Sequence, residues 1–131
     1  MTVTAAPALL TSVELEQMPR NGTDRWLIRG RLRQKPHLFR DRFHAAATAR
    51  FADLLLSWLD TLPRPRGAVF SGFACGCILR TDPDTTVGID VAYFPASVLA
   101  AQSDDTTLVR GVPAVAVEIL SPNDTQDEID E

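Results

Sequence analysis

The sequence predicts one α/β domain, a β-sheet flanked by helices, and three segments carry that prediction. Val87–Phe94 and Ala114–Leu120 are short apolar runs bounded by turn residues, which indicates buried strands. Between Asp41 and Asp60, apolar residues recur at three- and four-residue spacing, which is typical of an amphipathic helix. The residues expected to face the core from that helix are Ala47, Phe51, Leu54, Leu55, Trp58 and Leu59.

The other predicted elements are short and surround these three. They are a capped helix from Thr11 or Ser12 to Met18, a strand over Arg25–Arg33, strands over Ala68–Phe73 and Gly76–Arg80, and a helical turn over Ala96–Gln102. After Ser121 another helix begins, with Thr125 and Glu128 at capping-box spacing, yet the chain ends at Glu131. A complete domain rarely ends on the first turn of a helix, so we expect a single domain over 1–131 that is truncated at its C-terminus.

Composition restricts the class of protein. A hydrophobic fraction of 45% with 23% charged residues is ordinary for a folded protein and excludes disorder. The apolar runs are far shorter than the roughly 20 residues that a membrane helix needs. Met1–Leu10 lacks the basic and apolar regions of a signal peptide, and we expect it to be flexible. Cys75 and Cys77 are too few for a zinc site, so two free thiols in a cytoplasmic protein are expected.

Charge is distributed unevenly along the chain. Between Arg20 and Arg50 nine basic residues stand against two acidic ones, a local balance of +7. From Thr81 to Glu131 eleven acidic residues stand against Arg110 alone, a balance of −10. A basic half can neutralise phosphates and an acidic cluster can hold a divalent cation, although two solvated faces would produce the same bias. The candidate nucleic-acid contacts are Arg25, Arg29, Arg31 and Arg33.

Two carboxylates stand inside the apolar strands, Asp90 in the first and Glu118 in the second. Because side chains alternate along a strand, each acid shares its face with glycine or alanine, while the bulky residues point the other way. If the strands are neighbours, the two acids meet on one face and can coordinate a hard cation. The alternative is that each acid faces solvent from an edge strand or pairs with an arginine.

Two motifs connect these acids to a known family. Residues 82–93 read DPDTTVGIDVAY and residues 115–124 read VAVEILSPND. They resemble the two signatures of the Uma-type family of putative restriction endonucleases, and the Glu-x-Leu-Ser-Pro stretch is the more specific of the two. The long helix and the segment around Gly30 follow in the family's order, so the resemblance covers the chain from about Thr11.

The resemblance implies a PD-(D/E)XK nuclease fold, a restriction-endonuclease-like mixed β-sheet flanked by helices. It implies hydrolysis of phosphodiester bonds in nucleic acid, DNA above all, with Mg²⁺ or Mn²⁺ as cofactor. Asp90 and Glu118 would be metal ligands, together with the backbone carbonyl of Ile119. His44 matches the family's frequent histidine early in the long helix, but its position on the apolar stripe is equally typical of a core histidine. Related folds often pair, so a homodimer is one expected assembly.

Three departures from the family pattern count against activity. Position 120, where the parent motif has its lysine, is Leu120, and the chain ends before the following helix can supply one. The chain's lysine, Lys35, is on the far N-terminal side. Acidic residues common around the early glycine are replaced by Trp26, Arg29 and Arg31. A cation near the attacking water supports catalysis, so its loss predicts weak or absent cleavage.

Two alternatives to a metal-dependent endonuclease therefore stay open. The first is a catalytically inactive nucleic-acid-binding module, which predicts salt-dependent binding indifferent to magnesium. In the predicted strand Trp26 lies on the face opposite the arginines, so base stacking has little support. The second is a structural or dimerisation domain that pairs through an open sheet edge, which predicts a dimer without metal dependence.

Overall fold

A computed structural model of the chain describes residues 8–39, 41–103 and 106–120. Its elements follow in the order α1 (Ser12–Glu16), β1 (Thr23–Ile28), β2 (Arg31–Pro36), α2 (Arg42–Leu59), β3 (Ala68–Arg80), β4 (Thr85–Phe94), α3 (Ala96–Ala100), β5 (Val109–Arg110) and β6 (Val115–Val117). The predicted helix after Ser121, and residues 1–7 of the start predicted to be flexible, lie outside the described residues.

The strands that the structure describes form one sheet in the order β2-β1-β4-β3-β5, with β6 also paired to β4. β3 and β5 run parallel, whereas the other pairs are antiparallel, so the sheet is mixed. Helices pack against this sheet, and the predicted α/β fold class is confirmed. β3 merges two predicted strands, with a register irregularity between Ser71 and Cys75.

The basic segment forms a hairpin rather than the single strand that its alternation predicted. β1 and β2 are antiparallel, with Ile28 opposite Arg31. Arg29 and Gly30 connect them with φ angles of 51° and 78°. Two consecutive positive φ values are what a tight two-residue hairpin turn requires, and this geometry fits the twist of the flanking strands. The prediction missed the reversal because arginine is not a usual residue at the first turn position.

Helix α1 is stabilised by its own N-cap and by hydrogen bonds to a distant residue. Thr11 is its N-cap, and the Thr11 and Glu14 side chains form a reciprocal capping box. The backbone N–H and the hydroxyl of Ser12 both donate to Oδ2 of Asp84, at 2.7 and 2.8 Å. Asp84 lies in the turn between β3 and β4, so its carboxylate ties the N-terminal helix to the central strands.

Helix α2 covers the sheet along a narrow line, and the predicted core stripe is only partly correct. Its buried residues are His44, Ala52 and Leu59. Phe51, Leu54 and Trp58 were expected in the core but are 42%, 56% and 41% exposed. Periodicity shows that the helix has an apolar face, but it does not show which side of that face meets the sheet. Here the residues that contact the sheet are displaced from the predicted stripe by about one position along the helix. Trp58 still packs edge-on against Tyr93, with ring centroids 4.9 Å apart.

The deepest part of the core lies along β4 and its neighbours. Phe94, Leu27, Val91 and Cys77 are the largest fully buried side chains. Cys75 and Cys77 are both free thiols, as predicted. In the described part of the chain, no helix has the length and apolarity to cross a membrane. The middle of β4 therefore lies in the most buried part of the sheet.

Candidate active site

Asp90 lies where one edge of the central strand changes its partner. β3 occupies one edge of β4, while the other edge pairs with β1 at Thr86 and with β6 from Val91 onwards. Asp90 directly precedes the β6 pairing, in the interval between the two strands. The Asp90 residue is only 8% exposed, and burial is costly for a charged carboxylate unless polar partners or a cation compensate it.

His44 approaches the same carboxylate from the first turn of α2. Asp41 caps this helix, and its Oδ1 accepts a hydrogen bond of 2.7 Å from the backbone N–H of His44. The Nε2 atom of His44 lies 3.3 Å from Oδ2 of Asp90, but the angles do not make a hydrogen bond. Nε2 is buried and has no hydrogen-bond partner among the described residues. The hydroxyl of Thr48 lies 3.4 Å from the other ring nitrogen.

The strand of Glu118 reaches Asp90 from the other side. β6 is antiparallel to β4, with Val117 opposite Val91, so the predicted neighbourhood of the two acidic strands is present. Continuing that register places Glu118 level with Asp90. The contact that the structure shows is made by the next residue, because the N–H of Ile119 donates to Oδ2 of Asp90 at 2.9 Å. Glu118 itself is exposed.

These residues line a cavity of about 1300 Å³. Asp90, His44, Glu118 and Ile119 all contribute to its wall. Within the described ranges, no three His, Cys, Asp or Glu side chains are grouped closely enough to hold a metal ion. The types of donor atom nevertheless suit a divalent cation. A buried carboxylate lies beside a buried imidazole nitrogen that has no hydrogen-bond partner among the described residues, and a second carboxylate lines the same cavity.

The four predicted nucleic-acid contacts are divided between two places. Arg25 donates to the carbonyl of Pro19 at 2.7 Å and to the Asn21 side chain at 3.0 Å, so it holds the preceding loop. Arg29, Arg31 and Arg33 line a second hollow of about 560 Å³. Arg80 joins them there, although it is distant in the sequence and was not predicted.

Three further residues of the large cavity escaped the sequence interpretation. Trp26, Lys35 and Phe39 line the same cavity as Asp90. The hairpin turn carries the segment back along itself, which brings the N-terminal lysine to the cavity of the central strand. Gly30 between two alternating segments was the signal that could have revealed this arrangement, although Arg29 before it is not a usual turn residue.

The thiols near this cavity have opposite tendencies. A hydrogen bond to Cys75, together with burial and the negative charge of Glu118, raises the pKa of the Cys77 thiol far above its usual range. The same hydrogen bond lowers the pKa of Cys75. Cys77 is thus an unreactive residue of the core.

Comparisons with known proteins identify the family and the fold of the chain. The family Uma2, described as putative restriction endonuclease, matches residues 13–131. A crystal structure of a putative nuclease belonging to DUF820 from Anabaena variabilis ATCC 29413 is similar with a TM-score of 0.67 and 21% sequence identity. The match covers 95% of this chain and 64% of that one, so this chain spans about two thirds of that nuclease's length. At this identity the similarity shows the fold alone. No curated protein matches the chain. The family inferred from the two motifs is confirmed.

Proposed function

Because the chain belongs to the Uma2 family of putative restriction endonucleases, we propose that it hydrolyses phosphodiester bonds of nucleic acid, DNA above all, at a divalent-metal site centred on Asp90. The observation that carries the proposal is a buried carboxylate 3.3 Å from a buried imidazole nitrogen that has no hydrogen-bond partner within the described ranges, both lining a large cavity. The cytoplasm is the compartment we propose.

Asp90 and Glu118 are the proposed acidic ligands, and the carbonyl of Ile119 and Nε2 of His44 are the other candidate donors. Mg²⁺ or Mn²⁺ bound there supplies Lewis-acid polarisation of the phosphate and a lower pKa for the attacking water. The chain's own contribution is orientation. The Ile119 N–H fixes Oδ2 of Asp90, and the Asp41 cap fixes the start of the helix that carries His44.

Two roles are open to His44, a structural one in the core and a functional one at the metal site. A histidine that only fills the core usually has its ring nitrogens satisfied by hydrogen bonds. Here Nε2 is buried, has no hydrogen-bond partner in the part of the chain that the structure describes, and lies 3.3 Å from the carboxylate oxygen that we assign to the metal. This favours a ligand or positioning role over a purely structural one.

The direct test is nicking of supercoiled plasmid by the purified chain with Mg²⁺ or Mn²⁺, against an EDTA control. Asp90→Asn keeps the shape of the side chain and removes its charge. Asp53→Asn is the matched control, since Asp53 is exposed on α2 and lies outside both cavities. We expect metal-dependent nicking by the native chain and the Asp53 variant, and background nicking by the Asp90 variant.

Two results contradict the proposal. Nicking that persists in Asp90→Asn would assign cleavage to another site or to a contaminant. Absence of nicking by a folded native chain with either metal would leave a nucleic-acid-binding module without catalytic activity, in agreement with the missing lysine at Leu120.

A further inference from the structure

One side of the hairpin carries a row of cations at alternate positions. Arg31, Arg33 and Lys35 belong to β2, and because side chains alternate along a strand they project to the same side of the sheet. Successive members are two residues apart, or about 6.7 Å along the strand. That repeat resembles the distance between neighbouring phosphates of an extended nucleic-acid strand.

Trp26 stands within this row. It lies directly opposite Arg33 in the antiparallel register, and directly opposite residues share a side of the sheet. The ammonium group of Lys35 lies 5.9 Å from the centre of the Trp26 ring. The prediction that Trp26 and the arginines occupy opposite faces is therefore wrong for Arg33 and the other cations of β2, because the segment reverses at Arg29 and Gly30.

A second aromatic residue follows the strand. Phe39 is 97% exposed and lines the large cavity together with Trp26 and Lys35. A fully solvated phenyl ring contributes nothing to the core, whereas a ring that lines the same cavity as a lysine offers a flat surface for a base.

The row connects the two hollows. Arg31 and Arg33 line the smaller one with Arg29 and Arg80, and Lys35 lines the larger one that contains Asp90. Ile28 lines both. Within the hairpin, the carboxylate on this side is that of Asp24, which is opposite Lys35 and lies 3.0 Å from His37. The balance along the hairpin remains basic although the whole chain carries −4.

We infer that this surface, defined by Trp26, Arg31, Arg33, Lys35 and Phe39, binds single-stranded nucleic acid and leads it towards Asp90. Phosphates lie along the cations, and unpaired bases stack on the two aromatic rings. A duplex keeps its base faces stacked on one another, so it can use the cations but not the rings. Only the part of the inference that leads the strand to Asp90 rests on the proposed function, because the binding itself requires no metal.

The test measures binding of the full chain in EDTA by fluorescence anisotropy. The probes are a labelled oligothymidine, an oligouridine of equal length and a DNA duplex of equal length. Phe39→Ala and Trp26→Leu remove one ring each, and leucine preserves apolar volume at the half-buried tryptophan. Phe43→Ala is the matched control, because Phe43 is 70% exposed and lines neither hollow.

We expect a single strand to bind more tightly than the duplex, and each ring variant to weaken single-strand binding about tenfold. The Phe43 variant should bind like the native chain. Arg33→Ala should reduce the slope of log K against log salt by about 0.7, the contribution of one phosphate contact to a single strand, whereas Arg50→Ala on α2 should not. The DNA and RNA probes decide which single strand is preferred.

A second readout reports stacking directly. The chain has two tryptophans, so in a Trp58→Phe background the fluorescence of Trp26 is observed alone. Oligothymidine should quench it. Equal or tighter binding of the duplex, or a Phe39→Ala variant that behaves like Phe43→Ala, would overturn the inference. Those results concern binding in EDTA, so they leave metal-dependent cleavage at Asp90 untouched, and loss of cleavage leaves the binding result untouched.

Discussion

The Nε2 atom of His44 lies 3.3 Å from Oδ2 of Asp90 without forming a hydrogen bond, and both groups are buried. An unsatisfied buried polar atom costs about 1–3 kcal/mol. The N–H of Ile119 compensates the carboxylate in part, but it does nothing for the imidazole nitrogen. A cation bound between the imidazole nitrogen and the carboxylate would interact favourably with both and would offset this cost.

His44→Ala should therefore weaken the stabilisation that a metal provides. A lost ligand or orienting group typically lowers metal affinity by about 10- to 100-fold. The measurement is the rise in Tm on addition of Mn²⁺, which depends on affinity through mass action. His37→Ala is the control, since His37 pairs with Asp24 instead. An unchanged Mn²⁺ response in the His44 variant would show that His44 is only a core residue.

The Asp84 carboxylate should make the attachment of α1 sensitive to acid. Hydrogen bonds from the Ser12 backbone and hydroxyl lower the pKa of Asp84 below its usual value of 3.8. A lowered folded pKa contributes stability above the unfolded value, and that stability is lost as pH falls through the folded pKa. Asp84→Asn should cost about 1 kcal/mol at neutral pH, and the difference from the native chain should shrink below about pH 3.8.

Urea unfolding at neutral and acidic pH measures this effect. Asp82→Asn is a neighbouring control, because its side chain does not contact Ser12. A difference between native and Asp84→Asn chains that stays constant down to strongly acidic pH would contradict the assigned role of the Asp84 charge.

The two cysteines should react at very different rates. The Cys77 thiol is fully buried and donates to the backbone carbonyl of Cys75, whereas the Cys75 side chain is partly exposed. A disulfide reagent reacts with an accessible thiolate, so at mildly alkaline pH it should modify Cys75 quickly and Cys77 slowly. Cys75→Ala should abolish that fast phase and Cys77→Ala should retain it. A fast phase that survives in Cys75→Ala would disprove the assignment.

Phe94 should dominate the stability of the core. It is 0% exposed and packs edge-on against Phe70, with centroids 5.7 Å apart. Phe94→Ala should lower the free energy of unfolding by about 3–5 kcal/mol. Phe43→Ala removes the same side chain from an exposed helical position and should change it by less than about 0.5 kcal/mol. Comparable losses in both variants would contradict the described position of α2.

The sequence predicted the regular elements better than the way they are arranged in space. Asp90 could be singled out because an acid inside an apolar strand conflicts with burial unless something compensates it, and the structure buries it; its role as a metal ligand stays a prediction, as does that of the exposed Glu118. α1 and α2 could be placed because Thr11 and Asp41 are good N-caps.

The contacts between distant parts of the chain could not be predicted from the sequence in the same way. A strand interrupted at Arg29–Gly30 and a hairpin turning there share one alternation pattern, and the choice reverses the side on which Arg33 and Lys35 lie relative to Trp26. The approach of His44 Nε2 to Asp90 depends on how α2 crosses the sheet, which periodicity leaves undetermined. Arg80 reaches the other arginines only through the sheet order.

The most direct test of the central claim is calorimetric titration of Mn²⁺ into the native chain, Asp90→Asn and Asp53→Asn, without nucleic acid. It asks whether Asp90 holds a cation independently of any cleavage. We predict saturable binding by the native chain and the Asp53 variant, and none by a folded Asp90 variant. Equal binding by all three proteins, or no binding by any, would contradict a metal site centred on Asp90.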